Sequence, residues 1–342
     1  DGIIGNLITE GTQDDNNAFI ISLIPKAEAI LTSIISRQSS TDVARMETSN
    51  MDYPMFVINN TRGKIFRALL DCALRNKRNQ VTNAWEKIEK PLFVYGIAKG
   101  ILEIDVFIGW HFRQFYFLDR EWIDQYMLEL SPTRPHSWKA FMGGYLFPNP
   151  VNSIEIYEKI APHYRTAIDV AFTPKNMGGG FNGGVTRHVA CVYFWFFDDG
   201  TLIKYFIDNL NAEQLDDLIH FLRTQNAYIK ELPAKEQVVF RARVVVIWDY
   251  FLKSIQRRND PAFDHTASES ADLIAYFEDI TDEVHELVRT SFSFRSTKNE
   301  SFFVLEHLQQ LLPNRNTLQN AKAAAEIFLM ILNRFTPTYE EK

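Results

Sequence analysis

Apolar residues recur at helical spacing along almost the whole chain, and nothing between them reads as a β-hairpin. In INNTRGKIFRALLDCALRNKR (58–78), Ile65, Leu69, Cys72 and Ala73 fall at i, i+4, i+7 and i+8, which is one face of a helix. Asn60 or Thr61 stands where its cap belongs. The same spacing predicts helices over 16–36 with Pro25 interrupting, 92–118 with a break near Gly109, 137–146 and 153–172. A helix over 120–130 takes Asp119 as N-cap and ends before Pro132. Further helices are expected over 185–197, 211–227 behind Asn211, 234–256, 269–291, 299–312 and 317–334. RARVVVIWDYF (241–251) is β-rich in composition, but no turn residues flank it, so it reads as a buried helix. The expected class is all-α. Helix pairs of this length with short turns predict an irregular helical-repeat, α-solenoid-like array, although no fixed period is legible.

Composition narrows the function. Of 342 residues, 46% are hydrophobic and 23% charged, the balance of a globular protein. A net charge of −7 argues against general nucleic-acid binding. Cys72 and Cys191 sit in apolar helical contexts, which points to a reduced, cytoplasmic protein. No apolar run approaches the roughly twenty residues of a membrane span. The opening DGIIGNLITEGTQDD reads as a loop without a signal-peptide pattern, and its start at Asp1 suggests a piece of a longer protein or, equally, removal of a tag or processing.

Five glycines occupy the seven positions 178–184 in NMGGGFNGGVTRH. A phosphate-cradling loop needs a lysine and a hydroxyl after the last glycine, but Val185-Thr186-Arg187 follows Gly184. A dinucleotide fingerprint needs a preceding strand, and TAIDVAFTPKNM reads as a helix end and a turn. The segment 176–184 is therefore expected to be a mobile joint between an N-terminal helical array (1–175) and a C-terminal one (185–342).

Candidate chemistry is sparse. The eight histidines are scattered, and the pair His188 and Cys191 reads as packing, so neither a metal nor a cofactor is expected. Arg258 and His265 fit a loose Arg-x(4–6)-His pattern of HEPN-type ribonucleases, in which arginine steadies phosphate and histidine moves a proton. Pro261, with Asn259 and Asp260, reads instead as a turn between them. Arg75, Lys77 and Arg78 suit either a phosphate backbone or the negative end of a helix dipole. In GWHFRQFYFLDREW (109–122), Phe112, Phe115, Tyr116 and Leu118 read mostly as core between two helices, while Trp110, His111, Arg113 and Tyr116 are the partner-binding candidates, with Phe181 and Asn182 as a second patch.

NNTRGKIFRALLDCALR, LDREWIDQYM, WKAFMGGYLF and YEKIAPHYRTAID follow one another between 59 and 169. This series resembles the C-terminal helical region of large bacterial antiphage defence proteins, the STAND-type NTPases and defence-associated sirtuins. The matching positions are Asn59 with Gly63, Asp119 with Trp122, Trp138 to Leu146, and Tyr164 to Ala167. The resemblance covers about 55–200 and, more weakly, the helices to 334, while the glycine-rich stretch departs from the pattern. It implies a sensor or scaffold that binds a phage protein, such as a structural one, without chemistry of its own. Enzymatic activity and any oligomerisation would then belong to regions outside this chain. The alternative is a HEPN-like ribonuclease.

Overall fold

A computed structural model describes residues 1–13, 18–42, 53–130, 134–147, 153–171, 179–195, 198–294, 302–311 and 318–334. Among these are eighteen α-helices, short 3₁₀ and π segments, and no strand; the protein is all-α. No helix among the described residues is long and apolar enough to cross a membrane. The chain divides into two compact units, Asp1–Val185 and Thr186–Lys342.

The first unit contains α1 (Gly2–Gly11), α2 (Ile24–Ile35), α3 (Tyr53–Ile58), α4 (Thr61–Arg78), α5 (Lys90–Ala98), α6 (Leu102–Trp110), α7 (Phe112–Leu118), α8 (Arg120–Glu129), α9 (Pro135–Tyr145) and α10 (Ile154–Ala171). Two of these helices are enclosed by the others. α4 is started by Asn60, whose side chain accepts the Gly63 amide at 2.7 Å. It buries Ile65, Phe66, Leu69, Leu70, Cys72 and Ala73. Its neighbours are α1, α2, α3, α6 and α7. Its basic last turn ties loops down, since Arg75 donates to the carbonyls of Gln13 at 2.7 Å and Phe19 at 3.1 Å. Every residue of α6 from Leu102 to Gly109 is buried, Glu103 and Asp105 included.

α6 and α9 meet backbone to backbone. A Cβ on Gly109 would stand 2.0 Å from the Phe141 carbonyl oxygen, and one on Gly144 would stand 2.0 Å from that of Val106. Each glycine thus opens the approach that the other needs, and no larger residue fits at either position. The break expected near Gly109 falls instead at His111, where α6 ends and α7 begins. Gly109 itself is helical because the crossing needs it there.

The glycine-rich stretch is a correction to the sequence reading. α11 (Gly179–Phe194) runs through it, so 179–184 form part of a helix and do not separate two helices. Positions 176–178 lie outside the described residues. Gly184 packs on α9's C-terminal end, where a Cβ would lie 2.5 Å from the Leu146 carbonyl oxygen. A second correction concerns the opening residues, which form α1 and not a loop. Gly5 rests on the Lys64 backbone of α4, with a Cβ position 2.9 Å from the carbonyl.

The second unit contains the rest of α11, then α12 (Thr201–Asn209), α13 (Ala212–Lys230), α14 (Ala234–Arg258), α15 (Asp264–Glu269), α16 (Asp282–Ser291), α17 (Phe302–Leu311) and α18 (Leu318–Arg334). Asn211 and Gln214 cap α13 reciprocally, each side chain accepting the other's backbone amide at 3.0 Å. The β-rich segment is helical within α14 and places Trp248 in the core. The Trp248 ring N–H donates to Ser270 Oγ at 3.0 Å and Ser291 Oγ at 3.1 Å, joining three elements. The single helix expected over 269–291 is two elements. A 3₁₀-helix over Ser270–Tyr276 ends first, and Thr281 then caps α16.

Substitution separates packing glycines from tolerant ones. Gly144→Ala is expected to destabilise by about 1–3 kcal/mol, because its methyl group meets a helix backbone. Gly183→Ala, whose Cβ meets nothing within 4 Å, is expected to stabilise by roughly 0.5–1 kcal/mol. Denaturant unfolding of both variants checks the pair, and equal effects contradict the packing assignment.

Candidate functional site

The favoured aromatic residues fall at the α6–α7 junction. His111 is buried and stacks on Trp110 at 5.0 Å and on Phe107 at 5.6 Å. Its Nε2 faces Arg67 Nη1 at 2.8 Å. The guanidinium can only donate, so this nitrogen accepts and the ring is neutral. Burial, then the Arg67 charge, lowers the His111 pKa to about 3. Arg67 also holds Asp71, Nε to Oδ2 at 2.9 Å. Tyr116 buries its ring and donates its hydroxyl to Glu155 Oε1 at 3.0 Å, with the Arg120 guanidinium 5.1 Å above the ring. Trp110 is half-buried and meets the edge of Phe147 at 5.4 Å, whereas Arg113 is exposed. The structure therefore brings Trp110 and His111 together as packing partners and leaves Arg113 facing solvent. Phe181 and Asn182 belong to α11 by backbone, and their side chains lie outside the described residues.

Two polar groupings escaped sequence reasoning. The first lies in the core of the first unit. The Asn76 side-chain amide donates to Glu28 Oε1 at 2.5 Å and to Glu89 Oε1 at 2.7 Å, using both of its N–H groups. Glu28 is 2% exposed and Glu89 0%. Burial, then the hydrogen bond and charge of Glu89, push the Glu28 carboxyl up to about 8. At neutral pH the pair keeps a proton. Burial also pushes the neighbouring Cys72 thiol up, which makes it an inert packing group. A signal was present in the sequence: Glu28 lies on the stripe Ile24, Ala27, Leu31, Ile35, and Asn76 continues Leu69, Cys72, Ala73. A polar residue on an apolar stripe is a buried polar residue.

The second grouping is in the second unit. Asp216 of α13 meets His265 and Glu269 of α15, with one ligand atom from each inside a common span of 4.8 Å. His265 Nε2 and Glu269 Oε1 are 3.8 Å apart. The buried Thr266 hydroxyl donates to Asp216 Oδ1. The i, i+4 spacing of His265 and Glu269 was legible, but their approach to a residue about fifty positions earlier was not.

Arg258, the other half of the ribonuclease-like pattern, donates both terminal nitrogens to the Ile207 and Leu210 carbonyls at the end of α12. It also lies 4.6 Å above the Phe263 ring. Between it and His265, Asn259 adopts φ 50° as the C-cap of α14 and Asp260 starts a 3₁₀ turn, as Pro261 suggested. His188 and Cys191 are both buried. Burial pushes the Cys191 thiol up to about 12, so it is a packing residue.

Compared with known protein families, curated proteins and solved structures, the chain matches none.

The carboxyl pair predicts a pH dependence. The ordinary value for Glu28 is 4.5 and the folded one about 8, so over that range the folded protein holds a proton that the unfolded chain has lost. Stability consequently falls as pH rises through this interval. His111, lowered from 6.5 to about 3, acts in the opposite sense below 6.5. Asp105, raised by burial to about 7, adds to the Glu28 effect up to that pH. The wild-type thermal midpoint is expected to fall between about pH 6.5 and 8. Glu28→Gln, which keeps an acceptor for Asn76 and a donor toward Glu89, is expected to flatten that fall. A variant with the wild-type slope contradicts the assignment.

Proposed function

We propose that this chain is a protein-binding sensor or scaffold module without chemistry of its own. The observation that carries the reading is the outer face of α18. Its inner face buries Ala324, Ile327 and Ile331, while Phe328, Leu329 and Leu332 are 45%, 55% and 49% exposed. Water-facing helices ordinarily carry polar residues there, and clustered large apolar side chains mark a surface that another protein covers. α1 supports the same reading: Ile3 and Leu7 point away from α4 and are 85% and 62% exposed. The ribonuclease alternative gains nothing from Arg258, whose guanidinium is engaged by backbone carbonyls. That the partner is a phage protein, and that the chain is the sensor of a larger defence protein, rest on the resemblance of residues 55–200 alone. Arg113 is the exposed polar candidate on the aromatic segment.

Capture from phage-infected bacterial lysate tests this reading. A specific phage protein is expected to be retained by the wild type. Phe328→Asp with Leu332→Asp is expected to weaken retention by about 2 kcal/mol or more, roughly thirtyfold, with the circular dichroism spectrum unchanged. Recovery of nucleic acid or a small metabolite without protein overturns the proposal.

A further inference from the structure

We infer that Asp216, His265 and Glu269 form a binding site for a divalent transition-metal ion that ties α13 to α15. Three observations carry the inference. First, three donors converge from two helices: an aspartate and a glutamate oxygen and an imidazole nitrogen, all within 4.8 Å of one another. Metal–ligand distances of about 2.0–2.2 Å place neighbouring donors roughly 3.0–3.4 Å apart in tetrahedral or octahedral geometry. The 3.8 Å between His265 Nε2 and Glu269 Oε1 is close to that spacing, and a small rotation of half-buried carboxylates closes the rest.

Second, the charge is unbalanced. Among the described residues, neither Asp216 nor Glu269 has a lysine or arginine within ion-pair distance. One imidazole offsets at most one of two carboxylates. Glu213 and Asp217 stand on the same turn of α13. This is a local negative field that a cation relieves.

Third, the donors are held. The buried Thr266 hydroxyl donates to Asp216 Oδ1, which orients the carboxylate and leaves Oδ2 for a metal. His265 and Glu269 lie one helical turn apart, so a single face of α15 presents both. One imidazole and two carboxylates suit ions of intermediate hardness, Zn²⁺ or Mn²⁺, above Cu⁺ or Ca²⁺. Three protein ligands leave at least one coordination position for water. The site stands independently of the protein-binding proposal, because it requires only α13 and α15.

Isothermal titration of the full chain with Zn²⁺, and separately with Mn²⁺, tests the site. One ion per chain is expected for at least one of the two metals. Asp216→Asn, His265→Gln and Glu269→Gln should each abolish or weaken binding by tenfold or more, and Thr266→Val by about tenfold. His285→Gln is the control, since His285 forms a separate pair with Glu326 at 3.2 Å; it is expected to leave binding unchanged. A second readout avoids dependence on variant folding: the His265 side-chain nitrogen resonance of the wild-type protein should shift on Zn²⁺ addition and other histidines should not. Absence of stoichiometric binding by either ion, or binding that persists in His265→Gln, overturns the inference.

Discussion

The first unit depends on one contact, the reciprocal approach of α6 and α9 through Gly109 and Gly144. Each glycine admits the carbonyl of the facing helix to a distance that a side chain would forbid. With α9 seated this closely and α3, α4, α5 and α7 also against it, α6 is buried from Leu102 to Gly109. Packing of this kind is specific because it is intolerant: larger residues at 109 or 144 have no rotamer to retreat into, since the collision is with backbone.

Enclosing α6 has an electrostatic consequence, because the helix carries two acids into the interior. Both are provided with hydrogen-bond donors from sequence-distant elements. Glu103 accepts from the Thr41 hydroxyl and, at 3.3 Å, from Asn60, with the Arg62 guanidinium 3.6 Å away. Asp105 accepts the Tyr126 hydroxyl at 2.8 Å. Thr41 in turn accepts the Leu102 amide at 2.9 Å, which satisfies a backbone group at the start of α6. The buried Glu28–Asn76–Glu89 group follows the same rule by another route, keeping a proton between its two carboxyls.

What the sequence made legible was local. Asn60, Asp119 and Asn211 each announce a helix start because a cap acts over three residues, and each side chain accepts the backbone amide expected. The VVV run of α14 reads correctly as helix because strand propensity without flanking turns does not make a strand. Failures came where tertiary contact overrode local propensity. GIIGNLITEG looks like a poor helix, yet Gly5 is what lets α1 settle on α4. The glycine-rich segment looks like a joint, yet Gly184 is there to meet Leu146. The site residues divide in the same way. His111 was visible as an aromatic but not as a buried, hydrogen-bonded one, Tyr116 was legible as core but not as the partner of Glu155, and no periodicity links Asp216 to His265.

Among the contacts of the first unit, the glycine crossing of α6 and α9 is the one that fixes how its core closes. Native-state hydrogen exchange measures it directly. The amides of α6 and α9 are expected to exchange together and more slowly than those of any other helix in the first unit, because neither helix can open without breaking the shared contact. Fast exchange in α9 alongside strong protection in α6 would contradict the account.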